Sequence, residues 1–204
     1  MKYLSAFFFI ILLSGCDVLV LSEPPVSAVA DQRAAWEQHK KRLSLLEAWS
    51  IDGRISIRLA DEAWHANIVW RQIDKAYHIQ IFGPFGAGAV QLDGSPQTVV
   101  LTHDGRKTHS NDPEQLLAQQ LGWRVPVNGL RYWAVGQAIP GEPAKVELDA
   151  AGRLAVLRQN GWHIRYRRYV DAAGFTLPGK IFMDNEGLDV RLVIDNWQTT
   201  RQSG

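Results

Sequence analysis

Cysteine is nearly missing from this sequence. The only one, Cys16, excludes an internal disulfide framework and any zinc cluster built on thiolates. An excess of one charge is missing too. The 204 residues carry 22 Lys and Arg against 21 Asp and Glu, a formal net charge of +1. That balance excludes a polybasic surface as the main affinity for nucleic acid or anionic lipid, while leaving room for a local patch. The apolar run at residues 3–13 is too short for a bilayer-spanning helix of ~20 residues. No Gly-x-Ser-x-Gly, His-Glu-x-x-His or EF-hand pattern occurs, so the usual signatures of hydrolase, metalloprotease and calcium site are absent. Tryptophan, in contrast, is abundant. All eight lie between Trp36 and Trp197.

The strongest local signal is at the N-terminus. Lys2 precedes the short apolar run, and Leu13-Ser14-Gly15-Cys16 resembles a bacterial lipobox. This predicts a removable signal over residues 1–15, with an S-linked diacylglycerol and an N-acyl chain on Cys16. Loss of the signal removes Lys2 and leaves the basic and acidic counts equal. Each buried CH₂ of an acyl chain contributes ~0.8 kcal/mol, and two or more chains anchor a protein stably. Residues 16–31, with Ser22, Pro24, Pro25 and Ser27, read as the lipidated start and a tether stiffened by proline. A globular domain is expected over 32–198 and a tail over 199–204. That length suits one domain with a sizeable core.

A helix with a thin apolar stripe is expected over about 29–46, then strands. Trp49, Ile51, Ile55, Ile57 and Leu59 alternate with polar residues, interrupted at Gly53 as at a bulge. Trp64, Ala66, Ile68 and Trp70 continue the pattern, followed by Tyr77, Ile79 and Ile81. Asp104-Gly105 reads as a tight hairpin turn. Asp112, Pro113 and Glu114 start a helix that Gly122 ends, and a second short helix is expected around 130–135. Strands then return to the end of the chain. About ten short antiparallel strands at 8–12-residue spacing predict a barrel or a strongly curved sheet.

Aromatics share one face of successive strands with Ile, Leu and Val. Two readings fit: a filled core, or an open apolar cavity lined with Trp and Tyr and suited to acyl chains. The loop Gly83-Pro84-Phe85-Gly86-Ala87-Gly88 has the glycines of a phosphate cradle, but a strand follows it rather than a helix. It reads either as a projecting loop with an apolar tip at Phe85, or as a tight turn whose Phe folds back onto the core. His103 and His109 flank the Asp104-Gly105 turn and read as solvated, since a metal site needs three or four ligands. Arg165, Arg167 and Arg168 form a basic cluster, read either as a plain solvated face or as a contact for headgroups or an acidic partner.

Taken in order, the lipobox, Ile51-Asp52-Gly53-Arg54-Ile55, Trp70-Arg71-Gln72, Gly83-Pro84-Phe85-Gly86, Leu130-Arg131-Tyr132-Trp133, Gln159-Asn160-Gly161-Trp162 and Asp195-Asn196-Trp197 resemble the LolB family of outer-membrane lipoprotein receptors. The resemblance implies a mainly β (α+β) fold: an incomplete, strongly curved antiparallel β-barrel with an apolar cavity covered by a few helices. It implies acceptance of lipoproteins from the periplasmic carrier LolA and their insertion into the inner leaflet of the outer membrane. No enzymatic activity and no cofactor are implied beyond the acyl groups on Cys16. The implied partners are a LolA-type carrier, client lipoproteins and outer-membrane phospholipid, with no nucleic acid, for a monomer facing the periplasm. By the same resemblance Pro84, Phe85 and Gly86 form the membrane-insertion loop. Trp36, Ile55, Trp70, Ile79, Trp133, Trp162 and Trp197 are expected at the acyl-chain cavity. Asp17 departs from the pattern, because an Asp there retains some lipoproteins in the inner membrane. The alternative function is a membrane-anchored binder of a small amphiphile without a lipoprotein client.

Overall fold

The alternation around Trp49 builds the centre of the molecule. The computed structural model describes residues 26–60, 62–86 and 88–201, and in it Leu46–Leu59 forms strand β1. Trp49, Ile51, Ile55 and Ile57 are buried on one face, while Arg54 and Arg58 are exposed on the other. Strand β2 (Glu62–Ile73) pairs antiparallel along one side of β1. From it β3 (Ala76–Phe82), β4 (Val90–Gly94), β5 (Val99–His103) and β6 (Arg106–Ser110) meander to one edge. Along the other side of β1 lies β11 (Leu188–Arg201), followed outward by β10 (Phe175–Asn185), β9 (Trp162–Ala172), β8 (Leu154–Gln159) and β7 (Lys145–Leu148). All eleven strands form one antiparallel sheet.

The mainly β, α+β character agrees with the sequence, but the incomplete, strongly curved barrel does not. The sheet is neither closed nor strongly curled. Its edges, β6 and β7, do not pair with each other. Both edge strands are short and carry lysine, Lys107 on β6 and Lys145 on β7, which is how open sheets blunt unpaired backbone. Alternation reports which face is buried, and it is the same for an open sheet and a barrel.

The chain passes from one edge to the other through α2 (Pro113–Leu121) and α3 (Val127–Ala134). The α2 signals are realised in full. The Asp112 carboxylate accepts from the backbone N–H of Glu114 and Gln115 at 3.0 and 2.9 Å, and Gly122 ends the helix at φ 72°. Helix α3 starts earlier than its apolar spacing predicts. Helix α1 (Val26–Leu43) also starts earlier, taking in residues expected in the tether, and it ends before Leu46, which opens β1. Strand β11 runs through Trp197 into the expected tail. The signal, Cys16 and residues 17–25 lie outside the described residues.

Gly53 marks a bulge. The register between β1 and β11 skips from Asp52↔Asn196 to Gly53↔Ile194. A Cβ at position 53 would run into the carbonyl oxygen of Val193, so the backbones approach only because glycine is there. The bulged Asp195 takes Nε and Nη2 of Arg54 at 3.0 and 2.8 Å.

Candidate functional site: an apolar cavity under the crossing helices

Between the inward face of the sheet and the α2–α3 segment lies a cavity of about 100 Å³. Its walls are wholly apolar side chains. The sheet supplies Ile55 and Ile57 of β1, Trp70 of β2, Ile79 of β3, Trp162 of β9 and Met183 of β10, among others. The crossing segment supplies Leu117, Trp123, Val125 and Leu130. Two-residue alternation puts the sheet residues on one face, and the edge-to-edge crossing lays the helices over it.

The seven expected cavity residues divide. Ile55, Trp70, Ile79 and Trp162 line the cavity; Trp36, Trp133 and Trp197 do not. Trp36 belongs to α1, stacked at 5.9 Å on His39 with Lys40 over its ring. Trp197 gives its indole N–H to the carbonyl of Pro178 at 2.9 Å and meets the Trp49 ring at 5.5 Å. Trp133 is fully buried beside Trp162, ring to ring at 5.9 Å.

Two glutamines explain how tryptophans are held so deep. Gln72 and Gln159 are the buried polar side chains among the described residues. Gln159 Oε1 accepts from Trp133 Nε1 at 3.0 Å and from the backbone N–H of Ile139 at 2.9 Å. Gln72 Oε1 accepts from Trp70 Nε1 at 3.0 Å, and its own amide donates to the carbonyl of Asp74 at 2.8 Å. A buried indole N–H without a partner costs about 1–3 kcal/mol, so each glutamine removes a penalty that the tryptophan creates. Tyr166 adds a third tie, its hydroxyl donating to the carbonyl of Trp133 at 3.1 Å. Burial pushes that phenol far above its ordinary pKa, which keeps it a neutral donor.

Sequence reasoning placed both glutamines in motifs but missed their role as partners of the tryptophans, and it missed the roof residues Trp123 and Val125. The signal for Gln72 was there: it follows Trp70 by two, which puts both on one strand face. Trp123 and Val125 also stand two apart, between Gly122 and Pro126.

Residues Pro84–Gly86 form a single 3₁₀ turn, closed by Gly86 N–H to the carbonyl of Gly83 at 3.1 Å. Pro84 and Gly86 are exposed, and Gly86 sits at φ 79°, open to glycine at no steric cost. The last β2–β3 pair is Asn67↔Phe82, so β2 runs on past β3 beside this loop. The extension carries Trp64, 43 % exposed, on the same strand face as Trp70. His103 is half-buried and His109 exposed, and no group of three or more His, Cys, Asp or Glu suited to a metal occurs among the described residues.

An open antiparallel sheet with helices crossing over an apolar pocket is a fold shared with solved structures. A LolA superfamily protein from Nitrosomonas europaea superposes with a TM-score of 0.53 over 85 % of this chain and 95 % of its own, at 11 % identity. At that identity the likeness shows the fold alone. Sequence carries the assignment further. The profile of the family described as outer membrane lipoprotein LolB matches residues 47–197. The outer-membrane lipoprotein LolB of Pseudomonas syringae pv. syringae is 38 % identical over 200 residues, spanning 97 % of this chain and 96 % of that protein. That of Nitrosococcus oceani is 41 % identical over 191 residues, 93 % of each. The chain belongs to the LolB family. It is therefore a lipoprotein of the outer membrane, with a role in transport rather than catalysis.

Proposed function

We propose that the cavity holds the acyl chains of lipoproteins in transit. The chain is a LolB-type outer-membrane lipoprotein receptor facing the periplasm. In this reading it accepts lipoproteins from a LolA-type carrier and releases them into the inner leaflet of the outer membrane. Its own anchor is the acylated Cys16, which keeps the domain at that surface.

The observation that carries the reading is the purely apolar wall. Acyl chains offer area and no hydrogen bonds, and about 25 cal/mol per Å² of apolar surface removed from water is available to hold them. The size of the cavity adds a condition. At about 100 Å³ it is smaller than the ~150 Å³ cavity that holds one benzene. Acyl chains larger than that enter only if part of the cover moves off the sheet. Transfer from the carrier needs no nucleotide if the receptor binds more tightly, tenfold for each ~1.4 kcal/mol of difference.

The loop at 84–86 supplies release. Its apolar tip, Phe85, enters the leaflet, where burial of a phenyl is worth roughly 1.5–3 kcal/mol. The test mixes the mature protein with a LolA-type carrier loaded with a labelled lipoprotein. Label passes to the protein, and Phe85→Glu accepts it equally well but no longer delivers it to membranes. Blocked acceptance in Phe85→Glu overturns the role of the tip. Absence of any transfer favours the binder of a small amphiphile.

A further inference from the structure

The outward face of the sheet carries charge that the cavity does not use. Cross-strand pairing sets His65, Ser56, Arg191, Phe182 and Arg165 in one row from β2 to β9. The next row holds Asn67, Arg54, Val193, Lys180 and Arg167. Where these rows reach β2 there is a groove of about 370 Å³, lined by Arg54, Ser56, His65, Asn67 and Arg191. Pro84 forms one of its sides. The loop thus stands between two unlike surfaces, the β3 and β4 strands that wall the cavity and, on the opposite face, this groove edged by Arg54, His65, Asn67 and Arg191 over an apolar floor.

The cations of this face are unequally compensated. Arg54 is held by Asp195 and Arg165 by Asp184, the latter at 3.0 Å. Arg191, Lys180 and Arg167 have no acidic partner among the described residues. Arg191, Lys180 and Arg165 instead gather about one ring, Phe182, at 5.6, 5.1 and 5.6 Å. A phenyl face attracts a cation but does not cancel its charge, so the cluster still repels itself. An anion laid on the groove relieves that repulsion. In a chain whose total charge is close to zero, this local excess beside one particular loop needs a local counterpart.

We propose that the groove receives the phosphate of an anionic phospholipid, docking the outward face on the membrane beside the entering loop. This rests on the reading of 84–86 as the insertion loop. A headgroup is the counterpart favoured here because the groove shares Pro84 with that loop. Once Phe85 is in the acyl region, the phosphate layer lies next to the groove's arginines. Arg191 is the positioning cation, since it lines the groove and carries no acid.

The test uses the mature chain with Cys16→Ala, so that only the protein surface holds it to a membrane; every contact described lies within residues 26–201. Sedimentation is measured with vesicles of phosphatidylcholine alone or mixed with phosphatidylglycerol. Binding is expected to favour phosphatidylglycerol, and the preference to shrink at 1 M salt, where the screening length falls to about 3 Å. Arg191→Glu weakens binding to phosphatidylglycerol vesicles about tenfold at an unchanged melting temperature, and Arg191→Lys restores it. Phe85→Ser binds both vesicles less but keeps their ratio, which separates the groove from the loop. Equal binding of wild type and Arg191→Glu to phosphatidylglycerol overturns the proposal. So does a missing lipid preference combined with loss of carrier binding in Arg191→Glu, which assigns the face to an acidic protein.

Discussion

The two ends of the cover over the cavity are fastened in different ways. At the α3 end, Trp133 is fully buried and tied by polar groups on both sides, its N–H to Gln159 and its carbonyl to Tyr166. Arg131 adds a bond from Nη1 to the carbonyl of Asp74 at 2.9 Å. At the α2 end the helix meets the sheet side through Leu116 and Leu117, and the following link through Trp123 and Val125. No hydrogen bond ties an α2 side chain to the sheet among the described residues. The difference separates a hinge from a lid. Apolar contacts are non-directional, so an acyl chain replaces them at little cost. A buried hydrogen bond broken without a substitute costs the full desolvation of its groups. Entry of a ligand is therefore expected from the α2 side, with α3 staying docked.

Breaking the fastened end gives the largest effect. Trp133→Ala is expected to cost about 3–5 kcal/mol in denaturant unfolding. Gln159→Leu strips partners from the Trp133 indole and the Ile139 amide, and about 2 kcal/mol is expected. A loss below about 0.5 kcal/mol would remove the distinction between the two ends. On the loose side, Ile55→Phe puts a larger side chain toward the cavity. Its cost in stability is expected to stay below about 1.5 kcal/mol, while acceptance of lipoprotein falls. A variant that is destabilised and still accepts at the normal rate would make the space mere packing.

The smallest effect lies away from both ends, in α1. The His39 imidazole is held below its ordinary pKa of 6.5 by burial, and further by Arg153 and Arg42, with Asp149 opposing. The folded state therefore binds the proton less well than the unfolded chain. Its contribution is complete above pH 6.5 and is lost as pH falls below that value. His39→Phe is expected to flatten this loss below about pH 6.5, followed by thermal unfolding.

Much of this was legible in the sequence, for identifiable reasons. Strand faces follow from alternation, as in Ile55 and Ile57 against Arg54 and Arg58. The α2 boundaries follow from Asp112 and Gly122, whose side-chain and backbone chemistry act locally. The Asp104-Gly105 turn, with φ 49° and 73°, joins β5 to β6 as its residue types require. What was not legible depends on distant partners. Whether eleven strands close is decided at β6 and β7, which are separated by the α2–α3 crossing and carry no mark of pairing or avoidance beyond a lysine each. Trp133 and Trp70 look alike as residues in apolar surroundings. Only the tertiary placement of Trp133, against Gln159 of β8 and Trp162 of β9, buries one completely and leaves the other facing a space. The basic cluster at 165–168 also divides: Arg165 pairs with Asp184, whereas Arg168 turns to the backbone, donating to the carbonyls of Gly179 and Ile194 at 3.0 and 3.1 Å.

The most direct measurement places a photoreactive residue at Ile79 and, in a second variant, at Gln80. These are neighbours on β3, the first on the cavity wall and the second on the opposite face. Each variant is mixed with a carrier loaded with a lipoprotein bearing labelled acyl chains, then irradiated. Label attached at position 79 and absent at position 80 is the outcome predicted for chains held in the cavity. Equal labelling at both positions, or labelling at 80 alone, would contradict it.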